Sequence, residues 1–216
     1  MIKGTSIKLL TFSDGNVLEE TVSDVLIGEK TGNAPNELTD GRLLGFTLAI
    51  PKGDRHEWTD RMVEFWGYRF RTLGFPEQGI EENIPLRWHK KVKVELADTS
   101  GVCTVIDVKT YTRHVYPFVC IRDARGGIIT AQDGSKVAGV LRVQIYAPTL
   151  PQEYYIPCTG DIIIPCECST EIDTTSEQTV SASLKALREE YPNYAAVGSI
   201  GRQYYGFKPD IVIEAR

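Results

Sequence analysis

Along the first 96 residues apolar and polar positions alternate with the period of two that an extended chain imposes, because successive side chains of a strand point to opposite faces. Ile2 to Phe12 alternates in part, Ser13-Asp-Gly-Asn16 carries the Asp-Gly signal of a tight hairpin, and Val17 to Ile27 resumes the pattern. Lys30 to Gly41 is a long polar loop with two Gly, two Asn and a Pro, and a loop of that length is expected to do more than connect. Leu43 to Ile50 is a strand-length apolar run stopped by Pro51-Lys-Gly-Asp54. Met62 to Trp66 and Tyr68 to Thr72, around Gly67, read as a hairpin that puts Phe65 or Trp66, and Tyr68 and Phe70, on packed faces. A Gly-, Pro- and Glu-rich segment, Gly74 to Pro85, leads into Leu86 to Leu96, where Lys91, Lys93 and Glu95 alternate with Val92, Val94 and Leu96. That alternation marks a strand with one wet face. Six or seven strands with almost no helical periodicity predict a small β-barrel or sandwich.

The second half predicts a β-rich α+β domain with one helix near 175–191. Val102 to Val108, Val115 to Ile121, Val140 to Tyr146, Tyr154 to Ile156, Ile162 to Pro165 and Ile211 to Ile213 are strand candidates. Asp123-Ala-Arg-Gly-Gly127 and Gln132-Asp-Gly-Ser135 read as turns, and Gly198 to Gly206 as a Gly- and Tyr-containing loop. Thr174-Thr-Ser-Glu177 has capping-box spacing. Val180, Leu184, Leu187 and Tyr191 then form one apolar stripe, which Pro192 ends.

Composition supports a division. All three Trp lie before residue 98, whereas all five Cys and nine of the ten Tyr lie after it. Ala97 to Gly101 is a small polar linker, so domains 1–97 and 98–216 are expected. The chain carries 24 basic and 29 acidic residues, a net charge of −5, which gives it no general attraction for a phosphate backbone. No 18-residue apolar window exists, so no membrane partner is expected. The N-terminus alternates and no small-residue cleavage site follows, so no secretory signal is read and reduced thiols are expected.

Candidate chemistry is sparse. The chain has no Gly-x-Ser-x-Gly elbow, phosphate loop or His-Glu-x-x-His, so no catalytic residue and no cofactor is assigned and the chain is read as a non-enzyme. Cys158, Cys166 and Cys168 hint at a metal site, with His114 or a distant Cys as fourth ligand. In a strand Cys166 and Cys168 would share a face, but the Cys-x-x-Cys knuckle is missing, so small buried thiols are expected and no metal is assigned. His56 and His89 are isolated. Arg87, His89, Lys90, Lys91 and Lys93, interleaved with Trp88, form a basic patch that could contact phosphate or stack on a base. The reading preferred is a solvated strand face opposite the acids Glu77, Glu81 and Glu82, in one chain or across a subunit boundary.

Leu48-Ala-Ile-Pro-Lys-Gly-Asp54, Trp58, Val63-Glu-Phe-Trp-Gly67, Phe70-Arg-Thr-Leu-Gly74, Gly79-Ile80 and Ile84-Pro-Leu-Arg-Trp-His-Lys-Lys-Val-Lys-Val-Glu95 together resemble the head-completion or stopper proteins of tailed-bacteriophage necks. The resemblance covers residues 1–96. Gly160-Asp-Ile-Ile163 and the Val197-Gly-Ser-Ile200 stretch are similar, more weakly, to other phage minor structural proteins. Stopper proteins usually end near the Lys-Val-Glu strand, so the further 120 residues depart from the family. The resemblance implies a virion neck protein, assembled in the host cytoplasm, that forms a homo-oligomeric, hexameric ring. Its expected neighbours are a portal or adaptor protein on the head side and a tail terminator or tail tube protein on the tail side. Packaged DNA is expected only as a non-specific channel contact. Under this reading Lys30, Asn33, Asn36, Asp40, Glu77, Glu81 and Glu82 are candidate interface or lumen residues. The alternatives are a small-barrel nucleic-acid-binding module built on Trp88 and its basic neighbours, or a tail or baseplate component.

Overall fold

Alternating side chains close the first part of the chain on itself. The computed structural model describes residues 3–13, 16–30, 45–78, 87–130 and 136–216. Strands β1 (Thr5–Ser13), β2 (Asn16–Lys30), β3 (Gly45–Pro51), β4 (Met62–Phe65), β5 (Tyr68–Gln78) and β6 (Trp88–Leu96) pair antiparallel in the order β1-β2-β3-β6-β5-β4, and β4 returns to β1. This is a six-stranded closed barrel, one of the two forms the sequence allows, and closure pairs β1 with β4 where an open sheet would have edges. Inward positions form one core that includes Ile7, Leu9, Val22, Leu48, Phe65, Phe70, Val92 and Val94. Phe65 and Phe70 stack with centroids 4.2 Å apart. Of the hairpin aromatics, Phe65 and Phe70 are buried, while Trp66 and Tyr68 are exposed.

The expected loop from Gly74 is corrected in part, because β5 continues to Gln78. The register shifts between Leu73 and Glu77, after which Glu77 pairs with Lys91 and Gln78 with Lys90. Gly74, at φ +71°, lies within that irregularity, and a glycine that looks like a breaker in sequence acts as a bulge.

The chain divides into two units near Asp98/Thr99, but not into two consecutive segments. Residues 146–151 and 204–210 belong to the first unit with residues 1–98. A buried charge cluster shows why. Arg71, on β5, donates from Nε (3.1 Å) and Nη2 (2.7 Å) to Glu95 Oε2 on β6, and from Nη1 to Asp210 Oδ2. The other Asp210 oxygen accepts the Ala147 amide at 2.8 Å. The Tyr205 ring lies 4.1 Å from the guanidinium carbon. Arg71, Glu95 and Asp210 are all buried, and both returning segments are tied to the barrel through these bonds.

The second unit is also barrel-like. β7 (Gly101–Ile106), β8 (Arg113–Asp123), β11 (Leu141–Ile145), β12 (Ile162–Ile164), β13 (Ala195–Tyr204) and β14 (Pro209–Ala215) close in the order β11-β14-β13-β12-β7-β8. β9 (Ile128–Thr130) and β10 (Lys136–Ala138) form a separate antiparallel pair. Gln132 to Ser135 lies outside the described residues. Helix α1 (Glu177–Glu190) sets Leu187 into a cluster with Ile106, Ile162, Ile164 and Cys168, with Leu184 and Tyr191 packed against it.

Three expectations are corrected here. The helix is capped by Ser176 with Thr179, not by Thr174 with Glu177: the Ser176 hydroxyl accepts the Thr179 amide at 3.2 Å and the Thr179 hydroxyl accepts the Ser176 amide at 3.0 Å. Asp173 already holds the Thr175 amide at 2.9 Å, keeping the chain non-helical for two more residues. Tyr154 to Ile156 forms no strand: the Tyr155 carbonyl accepts the Tyr116 hydroxyl, so a side chain satisfies backbone that a ladder would otherwise pair. Residues 198–204 belong to β13, because pairing between β12 and β14 overrides the low strand propensity of glycine.

Removing the Arg71 cation leaves two adjacent buried carboxylates. Arg71→Met is expected to destabilise the first unit by about 3–5 kcal/mol, as for breaking a buried pair from one side. Arg71→Met/Glu95→Gln/Asp210→Asn is expected to recover part of that loss. Urea denaturation followed by tryptophan fluorescence checks it, since Trp58, Trp66 and Trp88 all lie in the first unit. A loss below about 1 kcal/mol, the value of a surface pair, contradicts it.

Candidate functional site

β6 positions the basic residues. Val92 and Val94 point into the barrel core, so Lys91, Lys93 and Glu95 share the opposite face. On neighbouring strands Lys91 pairs with Glu77 and Ala49, and Lys93 with Leu73 and Thr47. The register brings an acid beside the lysines within the same chain. Lys93 Nζ donates to Glu77 Oε1 at 2.7 Å. The hydrogen bond and charge of Lys93, with a smaller contribution from Lys91, hold the Glu77 carboxyl below the usual glutamate range.

The start of β6 is anchored differently. Asp24 sits at φ +64° where the β1–β2 register shifts. Its carbonyl accepts Trp88 Nε1 at 2.7 Å, and its carboxylate pairs with Arg87 at 2.7 Å. The Arg87 guanidinium also lies over the Trp88 ring, 5.5 Å from the centroid. Lys90 Nζ donates to the Asp54 carbonyl at 3.4 Å. His89 is half-buried, and among the described residues its Nδ1 has no hydrogen-bond partner.

Four of the five basic residues therefore engage groups of their own chain, by ion pair, hydrogen bond or charge. Trp88 is buried at 4 % exposure. A stacking platform needs an open ring face, so the suggestion that Trp88 stacks on a base is corrected. Lys30 ends β2 opposite Phe46. Asn33, Asn36, Asp40, Glu81 and Glu82 lie outside the described residues.

A second polar cluster, in the second unit, escaped the sequence reading. Buried Asp161 accepts the Cys158 amide at 2.6 Å, the Val108 amide at 3.3 Å and the Tyr155 hydroxyl at 2.8 Å. His114 stacks on Tyr155 with centroids 4.2 Å apart. Burial pushes the Tyr155 phenol up, with the Asp161 hydrogen bond acting in the same direction, and burial pushes His114 down. A protonated phenol donating to a carboxylate that also holds two amides is a latch for the 155–161 loop. The only advance signal was Asp161 three residues after Cys158, the spacing of a side chain that caps a turn.

The cysteines are free thiols, with Cys103, Cys120 and Cys168 buried and Cys158 and Cys166 exposed. Cys166 and Cys168 do not share a face, because this segment is irregular rather than strand: Thr104 Oγ1 donates to the Cys166 carbonyl and accepts the Cys168 amide, both at 2.9 Å. Burial pushes Cys103 up to about 12 and raises Cys166, opposing the thiolate that metal binding needs. Among the described residues no three His, Cys, Asp or Glu side chains converge on a metal position.

Comparison with protein-family models, with curated proteins and with solved structures returns no match. The reading of this chain therefore rests on its own residues.

The Glu77 carboxylate, whose folded pKa is depressed, adds stability above the ordinary glutamate range and loses it as pH falls through the folded value. NMR titration is expected to place the Glu77 midpoint below that range and to find it raised in Lys93→Met. An unchanged midpoint would show that the pair does not persist in solution.

Proposed function

We propose that this chain is a non-enzymatic structural subunit of a bacteriophage neck, forming a homo-oligomeric ring that helps to close the capsid and dock the tail. One observation supports the reading above others. The two most specific stretches of the resemblance, Ile50 to Asp54 and Trp88 to Glu95, are adjacent parts of one barrel. Leu48 pairs with Val92 and Ile50 with Lys90. The Lys52 amide donates to the Arg87 carbonyl at 2.7 Å, and Lys90 reaches the Asp54 carbonyl. Two stretches separated in sequence thus form one structural element of the barrel.

The charge arrangement is compatible with this role. A strand whose cations are largely engaged within the chain, in a protein of net charge −5, offers DNA a weak contact, and weak contact lets a duplex pass. The neck ring has the portal or adaptor protein on one side and tail proteins on the other.

Native mass spectrometry and negative-stain microscopy of the purified chain, alone and with portal protein, are expected to find a closed multi-copy ring. Monomer under both conditions overturns the reading. A duplex-DNA titration separates it from the nucleic-acid-binding alternative. A phosphate-binding strand loses about one unit of salt slope for each lysine removed, whereas Lys90→Gln/Lys91→Gln/Lys93→Gln is expected to leave the slope nearly unchanged.

A further inference from the structure

Isolated exposed hydrophobic residues are ordinary, but grouped and rigidly held aromatics mark interaction sites. The first unit carries two such groups. At the β4–β5 turn Trp66 is 64 % and Tyr68 60 % exposed. Trp66 has φ +53° and Gly67 φ +78°, a turn geometry that favours Asn-Gly or Gly-Gly. A tryptophan there is explained neither by turn chemistry nor by the core. Its ring is held edge-on against Phe65 at 5.1 Å and Phe46 at 5.5 Å, so it loses little conformational freedom on being covered.

The second group lies on the returning segment and the far part of β5. Phe207 is 74 % and Phe75 59 % exposed, and their rings meet edge to face at 5.1 Å. Tyr204, in the same segment, is 63 % exposed. The Phe207 amide donates to Asp60 at 2.7 Å, which fixes the segment at that point. Phe75 lies seven positions along β5 from Tyr68, so the two groups lie roughly 20 Å apart along the strand.

We propose that these two groups are the two halves of a head-to-tail contact between copies of this chain, with Trp66 and Tyr68 of one copy covered by Phe75, Tyr204 and Phe207 of the next. The proposal rests on the ring reading above and names the surfaces that build the ring. An isologous dimer would use one group twice and leave the other in water, whereas a head-to-tail contact covers both groups in every copy. Five large rings at this exposure present on the order of 600 Å² of apolar surface, the scale of the central part of a standard interface.

The test uses the full chain in sedimentation velocity. Trp66→Asn, which suits the turn, and Phe207→Ser are each expected to weaken self-association by about 30-fold or more, as loss of a central aromatic contact does. Buried Trp58 and Trp88 report by fluorescence that each variant is folded, and Phe75→Ser replaces Phe207→Ser if that one is not. Each variant keeps one intact surface, so mixing the two is expected to give a heterodimer of twice the 24.1 kDa chain mass and nothing larger. Parent rings that persist unchanged in both variants overturn the surface assignment and leave the ring reading standing. Variants that dissociate but give no heterodimer overturn the head-to-tail geometry. A parent chain that stays monomeric, alone and with portal protein, overturns both readings.

Discussion

The first unit depends on a guanidinium held between two carboxylates. Arg71 and Glu95 face each other across β5 and β6, on the side of the barrel that would otherwise meet water. They are buried because Asp210, Tyr205 and Ala147 lie with them. Either carboxylate without the cation would be an unpaired buried charge, and the cation without them would be worse. The returning segments are held by these bonds together with the Phe207 and Lys208 amides on Asp60. A set of hydrophobic contacts could bury the same surface, yet it would not specify which residues return. Directional bonds to both oxygens of Asp210 do, and the same segment carries Phe207 and Tyr204.

Asp24 performs a similar service at the other end of β6. An aspartate tolerates the left-handed conformation of that irregularity better than a β-branched residue does, and the kink frees its carbonyl for Trp88 and its carboxylate for Arg87. Barrel closure and the placement of the basic strand are therefore one problem. The core valines set which face of β6 looks outward, and the anchored tryptophan sets where the strand begins.

Much of the architecture was legible because it is written in local signals. The β1–β2 pairing, the alternation of Lys91 to Leu96, the Gly67 turn and the stripe of Val180 to Tyr191 each rest on signals within a short stretch of chain. What alternation cannot do is choose between two adjacent aromatics. Phe65 and Trp66 were equivalent by pattern, and the turn, by beginning at Trp66, sends one inward and the other to the surface. The cluster around Arg71 had no local signal at all, since Asp210 lies 139 residues away. Its arginine and glutamate read as ordinary members of a wet strand face. The Asp161 latch was hidden because it satisfies backbone in an irregular stretch, which leaves no periodicity. Of the candidate site, the basic residues and their acidic partner Glu77 were legible from alternation, whereas the burial of Trp88 was not, because it depends on a bulge in another strand.

The cations of the first unit and its exposed aromatics differ in what already engages them, and that difference bears on what each can gain from a partner. Arg87 and Lys93 are ion-paired within the chain, Lys90 is bonded to a backbone carbonyl, and Arg71 is buried. A polyanion would have to compete with intramolecular carboxylates for the paired cations, and that exchange yields little at physiological salt. The exposed faces of Trp66, Tyr68, Phe75, Tyr204 and Phe207 meet no such charged competitor, so covering them gains the apolar area they leave exposed. By this balance the aromatic surface gains more on being covered than the basic strand does, which is why the proposed ring contact is built on aromatics rather than on the lysines.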